Sequence, residues 1–198
     1  MLITDISQLD LTKRYTYADY LAWQIEERLE LIKGWISRMS APNLNHQRIS
    51  LEITMAFGNH FAGHPCNLFV APFDVRLPRK SKQDKQVYTV VQPDLCVICD
   101  DEKLDKRGCI GAPDLVIEIL SPGNSKKEMR EKYDVYEESG VREYWLVSPS
   151  EKTVVIYTLN QNQKYIGSRH YTEDDIVPSV IFPDLKVVLM DVFKGMID

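Results

Sequence analysis

GAPDLVIEILSPGNSKKEMREKYDVYEESGVREYWLVSP, residues 111–149, reads as strand, helix, strand, and the rest of the chain is organised around it. PDLVIEIL (113–120) is a short apolar run opened by Pro-Asp, the pattern of a buried strand. Ser125 through Glu138 has helical spacing, with Met129, Tyr133 and Tyr136 on one stripe and Gly140 at the C-cap position. REYWLVSP (142–149) is a second strand, joined at Pro149-Ser150 to a third, TVVIYTL (153–159). On the amino-terminal side PDLCVICD (93–100) repeats the Pro-Asp opening, and the charged DDEKLDKRGCIGA separates the two such runs. NLFVAPFDVRL (67–77) is one strand, broken or bulged near Pro72. A long helix opens after Asn43 and runs to about His60, with Ile49, Ile53, Ala56, Phe57 and His60 recurring on one face. RLELIKGWISRM (28–39) is a hairpin turning at Lys33-Gly34, and residues 14–25 are helical from a Thr16 cap. IFPDLKVVLMDVF holds another strand pair and a short tail.

This order predicts a mixed α/β (α+β) core: one mixed central sheet with a helix against each face and extra β-hairpins at both ends. Residues 1–198 form a single domain, because no repeat and no linker rich in Gly, Pro or Ser divides them. Hydrophobic residues at 44% and charged residues at 27% are those of a folded chain, not a disordered tail. No apolar run approaches the roughly 18–20 residues of a membrane span. MLITDISQLDLTKRY lacks the apolar stretch of a signal peptide, so the cytoplasm is the default compartment. A net charge of −5 excludes a protein that coats nucleic acid through bulk charge, though local patches remain open. Four cysteines are too few for a disulfide scaffold. Cys96 and Cys99 form a CxxC, but three residues apart on a strand they point to opposite faces, so they read as buried structural cysteines and not as a metal site.

The chemistry-bearing residues emerge when the two Pro-Asp strands are paired as an antiparallel hairpin. With Asp94 opposite Glu118, Cys96 falls opposite Val116, and the turn centres on Lys106, inside the charged loop. Directly opposed Cβ atoms lie about 4.5–5.5 Å apart, so the two carboxylates can share one divalent cation. Magnesium, or manganese, suits such a pair, being a hard ion that takes oxygen ligands and keeps several waters. Pro-Asp at a strand start is also an ordinary turn device, and that reading stays open for Asp94 and Asp114. Asp114 lies roughly 13 Å from Glu118 along its strand, too far to share an ion. Glu118 interrupts LVIEIL, and a glutamate in an apolar strand calls for a partner or a cation. Lys132 falls at the edge of the helix stripe, nearer the core than Lys127 or Arg130, although a snorkelling lysine has the same placement. RKSKQDK (79–85) and SKKEMR add basic residues that fit a phosphate partner or a solvated surface equally.

PD-x(23)-E, a helix with EK-x(3)-Y, and GVREYWLV together resemble the PD-(D/E)XK nuclease superfamily, and within it the large family of restriction-endonuclease-like proteins abundant in cyanobacteria. The similarity extends to LELIKGWISRMSAPNLNHQRI, APFDVRLP, VVQPDLCVICD and FPDLKVVL, and so covers most of the chain. The resemblance implies a restriction-endonuclease-like fold, with Asp94 as the first metal carboxylate and Glu118 as the second. The superfamily's lysine position is Leu120 here, and Lys132 then stands as the relocated lysine. Glu30 matches an acidic position in the amino-terminal hairpin, an accessory metal ligand. His46 also matches, and a structural role at the helix start is its alternative. The expected function is a magnesium-dependent DNA endonuclease, working as a homodimer whose two sites face opposite strands. Val177, Val180, Ile181, Phe182, Val187, Leu189 and Phe193 are expected to provide surplus apolar surface for that dimer. The rival reading is a catalytically weak or inactive nucleic-acid-binding module that keeps the fold. A CxxC metal protein is a distant third.

Overall fold

In the computed structural model, residues 2–122 and 126–197 are described. The first helix, α1 (Tyr17–Tyr20), is one turn, capped reciprocally by Thr16 and Asp19. The cap is where the sequence places it, but the helix is shorter than residues 14–25. Backbone pairing takes both flanks: Tyr15 N–H donates to Gly34, and Gln24 N–H donates to Ile3. Strands β1 (Leu29–Ile32) and β2 (Trp35–Arg38) form the expected hairpin, with Lys33 and Gly34 both at positive φ, as a two-residue primed turn requires. Helix α2 (Leu44–Phe61) opens on Asn43, whose side chain accepts the His46 N–H at 2.8 Å.

β3 (Asn67–Val70) and β4 (Val75–Arg76) replace the single broken strand, and they lie in different sheets. Then come β5 (Val90–Val91), β6 (Leu95–Ile98), β7 (Leu104–Asp105), β8 (Gly108–Ile110) and β9 (Leu115–Ile119). Helix α3 (Lys126–Ser139) ends at Gly140, in the left-handed region; the expected start at Ser125 lies outside the described residues. β10 (Glu143–Ser148), β11 (Thr153–Leu159), β12 (Tyr165–Gly167), β13 (Tyr171–Thr172), β14 (Ile176–Pro178), β15 (Lys186–Val188) and the one-turn α4 (Leu189–Val192) complete the chain.

The main sheet runs β12-β11-β10-β9-β6-β3, with β13 also on β11. β9 and β10 are parallel and are joined through α3; the other pairs are antiparallel. The β6–β9 register is the expected one: Leu95 opposite Ile117, Cys96 opposite Val116 and Val97 opposite Leu115. A helix covers each face. Ile49, Ile53 and Phe57 of α2 pack on Val97, Leu115, Ile117 and Trp145. Val135 and Tyr136 of α3 pack on Cys96, Ile98, Val116 and Tyr144.

The charged segment between the Pro-Asp strands departs from the expected plain loop. It turns at Lys106-Arg107, as placed, but as the tip of the β7–β8 hairpin. That hairpin joins the amino-terminal one in a second sheet of order β2-β1-β5-β4-β8-β7, whose Val75, Val91 and Cys109 enter the core beneath α3.

The carboxy-terminal apolar residues close the α2 face. Val177, Val187, Leu189 and Phe193 are buried there, and Ile181 and Phe182 pack against it; Val180 alone of the seven is exposed. The surplus expected for a dimer surface is therefore consumed by the chain's own sheet. A buried carboxylate ties this segment down: Glu143 accepts the indole N–H of Trp145 at 2.5 Å and the N–H groups of Val180 and Ile181 at 2.8 and 2.9 Å. Glu143→Ala leaves three donors without their acceptor, the buried indole N–H of Trp145 among them, and is expected to lower unfolding free energy by about 2 kcal/mol in urea titrations. A change below about 0.5 kcal/mol would show that the clasp contributes nothing.

Cys96 and Cys99 do diverge, the first into the core under α3 and the second against the core under α2. Cys99 is bonded to Cys66, a disulfide the sequence spacing did not indicate; Cys96 and Cys109 are free and buried. No helix among the described residues is long and apolar enough to cross a membrane.

Candidate active site

The two Pro-Asp dipeptides play matching local roles. Oδ2 of Asp94 accepts the N–H of Ile119 at 2.7 Å, and Oδ2 of Asp114 accepts the N–H of Cys99 at 2.9 Å. Each aspartate opens one strand and clasps the far end of the other, so the turn-type reading holds for both. Their other oxygens differ. Asp114 takes the Arg142 guanidinium at 3.0 Å and serves structure. Oδ1 of Asp94 faces Nε2 of His46 at 3.3 Å, on the wall of a cavity of about 480 Å³. Asp94, Glu118, Glu30, His46 and Lys132 all line that cavity.

Glu118 is buried under α3. Its Oε1 accepts from the Lys132 ammonium at 2.8 Å and from the Tyr136 hydroxyl at 2.6 Å. Lys132 and Tyr136 are four residues apart and share a helix face, which brings both donors to one oxygen. Lys132 does not snorkel: its Nζ also lies 3.0 Å from Oε1 of Glu30, whose carboxylate is 2% exposed. The same Glu30 oxygen accepts the backbone N–H of Gln92 at 2.8 Å. One ammonium thus bridges a carboxylate from each sheet.

Burial pushes the Glu118 carboxyl above its ordinary range, helped by the nearby charges of Asp94 and Glu30 and opposed by Lys132. Burial also works to discharge Lys132, but Glu118 and Glu30 outweigh it and hold the ammonium above its ordinary range. Burial and the Glu118 charge raise Tyr136 well above the usual phenol, so it remains a donor. Glu118 ionises against two neighbouring carboxylates, an environment a further cation would relieve.

Among the described residues no three His, Cys, Asp or Glu side chains are grouped as a metal cage. A pair of carboxylates fits magnesium nonetheless, since that ion is commonly bound through one or two and retains its waters. Leu120 also lines the cavity and offers no charge. Sequence reasoning missed Gln92, and saw Tyr136 only as part of an apolar stripe. A hydroxyl one turn after Lys132 on the same face was the available signal for Tyr136. Gln92 acts mainly through its backbone N–H and a contact across 64 residues, for which spacing carries no signal.

A mixed sheet with Glu118 on β9 and Asp94 at the opening of the neighbouring β6, and with Lys132 of the crossing helix on Glu118, is the arrangement of a restriction-endonuclease-like domain. Residues 17–191 match the Uma2 family, described as "Putative restriction endonuclease", and the chain belongs to that family. An uncharacterized protein of Synechocystis sp. is 26% identical over 159 residues, spanning 79% of this chain and 80% of the relative. The crystal structure of a putative nuclease belonging to DUF820, from Anabaena variabilis, has the same fold. It superposes with a TM-score of 0.71 at 23% identity, over 90% of this chain and 97% of that one.

Proposed function

We propose that this chain is a magnesium- or manganese-dependent endonuclease that hydrolyses phosphodiester bonds in DNA. The observation that carries the reading is the Lys132 ammonium, 2.8 Å from Glu118 in the cavity that Asp94 also lines. Asp94 and Glu118 would hold the ion, which supplies an activated water and neutralises phosphate charge when bound. Lys132 provides a fixed positive charge for the oxygens on which charge develops, and its two carboxylates prevent it from relaxing away. Tyr136 fixes the Glu118 carboxylate; His46 and the Ile119 N–H fix Asp94 from both sides. Glu30 is the accessory acidic residue of this reading and acts through the ammonium.

In this reading the protein works in the cytoplasm as a homodimer. With the carboxy-terminal residues buried, the dimer rests on the need to cut two strands related by an approximate two-fold axis. Light scattering on DNA is expected to show a pair of chains per duplex site; a persistent monomer would remove the dimer and leave single-strand cleavage.

The test of function is a cleavage assay on plasmid, single-stranded and branched DNA with magnesium, manganese or neither, paired with calorimetric titration of each ion. Metal binding with metal-dependent cleavage is expected. Binding of DNA with neither metal uptake nor cleavage would establish the inactive module instead.

A further inference from the structure

Arg28, just before β1, is half-buried on the wall of the cavity that holds Glu30, Asp94 and Glu118. No carboxylate takes it among the described residues: its Nε and Nη2 donate to Oε1 of Gln92, at 3.0 and 2.9 Å. The amide that holds it has a fixed sense. Nε2 of Gln92 donates to Oδ1 of Asp74 at 2.9 Å and to the Tyr20 hydroxyl at 3.3 Å, which leaves Oε1 as the end turned to Arg28. Asp74 is itself held by the Tyr17 hydroxyl at 3.3 Å.

A guanidinium held along one edge by a neutral acceptor keeps its full charge, and keeps its other edge for an anion. An arginine placed only for stability in a cavity lined by four carboxylates, those of Glu30, Asp94, Glu118 and Glu128, would be expected to pair with one of them. Gln92 also ties Arg28 to the chemistry, because its backbone N–H holds the Glu30 oxygen that Lys132 contacts. The basic loop at residues 79–85 has no such position. Arg79 there is bound by Glu138, and none of the loop lines the cavity.

We propose that Arg28 is a phosphate-binding residue of this site: the free edge of its guanidinium grips a DNA backbone phosphate next to the one at Glu118 and Lys132, with Gln92 and Asp74 as its positioning residues. The inference rests on the nuclease reading and assigns a substrate contact within it.

The experiment measures binding of a short fluorescent duplex by anisotropy across a salt series, with calcium in place of magnesium so that the DNA stays whole. Arg28→Ala is expected to bind about tenfold more weakly, and to lower the slope of log affinity against log salt by about one, the mark of one lost phosphate contact. Arg28→Lys keeps the charge but not the fork, so it should keep the slope and recover only part of the affinity. If the wild type binds and Arg28→Ala binds with the same affinity and slope, the assignment of Arg28 is wrong and the nuclease reading stands. A wild type with no salt-dependent DNA binding overturns the nuclease reading, and this inference with it.

Discussion

Glu118→Gln is expected to abolish magnesium binding and to cut DNA cleavage by about 10³-fold or more. That loss corresponds to about 4 kcal/mol at the transition state, within the several kcal/mol a bound divalent ion supplies. The substitution preserves shape, and the amide oxygen can still accept from Lys132 and Tyr136, so the fold should survive. What disappears is one negative charge facing the cavity. Calorimetry measures the first effect and a plasmid-nicking rate the second. Wild-type magnesium affinity in the variant would remove Glu118 from the metal site.

Lys132→Met is expected to lower turnover by about 10²–10³-fold while leaving the KM for DNA little changed, the pattern of a charge that acts on the transition state. Its cost to the fold is larger than helix position alone implies. The ammonium lies between two carboxylates that are 2% and 8% exposed, and its removal leaves them facing each other. Breaking a buried ionic arrangement of this kind costs about 3–5 kcal/mol. The variant should therefore unfold at lower urea, and added magnesium should restore more stability to it than to the wild type. Unchanged turnover in a folded variant would return Lys132 to a structural role.

The elements legible in the sequence were those whose signals are local. Asn43 caps α2, Lys33-Gly34 makes the hairpin, and apolar periodicity places β6 and β9; the register of those strands followed from asking which carboxylates would have to face each other. The second sheet was not legible. β4, β5 and β7 are two residues long, too short to show alternation, and they are assembled by partners distant in sequence. The charged residues around β7 and β8 also mimic a solvated loop, because Arg76 reaches across to Asp105 and Arg107 to Asp84.

The site divides along the same line. Glu118 and Lys132 stood out as charges placed against an apolar pattern; at the cavity Glu118 is buried and Lys132 partly so. Asp94 was found only through its strand partner. The Cys66–Cys99 link joins the segment after α2 to the end of β6, a proximity that only the folded sheet creates. Tyr136 was signalled only by its place one turn after Lys132; Gln92 and Arg28 carried no warning, because a glutamine and an arginine are each unremarkable until a neighbour gives them a partner.

The supply of the amine from α3 instead of from β9 has a consequence for how the site can fail. Carboxylate and lysine on one strand would keep their spacing for as long as that strand lasted. Here the spacing is a tertiary quantity, set by how Val135 and Tyr136 seat α3 on Cys96, Val116 and Tyr144. A compact state that keeps its helices and sheets but loosens their contacts would retain every secondary-structure signal and lose the ammonium from Glu118. Under the proposed nuclease reading, cleavage rate is thus a gauge of helix-on-sheet seating, and on gentle heating it should decline ahead of any spectroscopic sign of helix or strand loss.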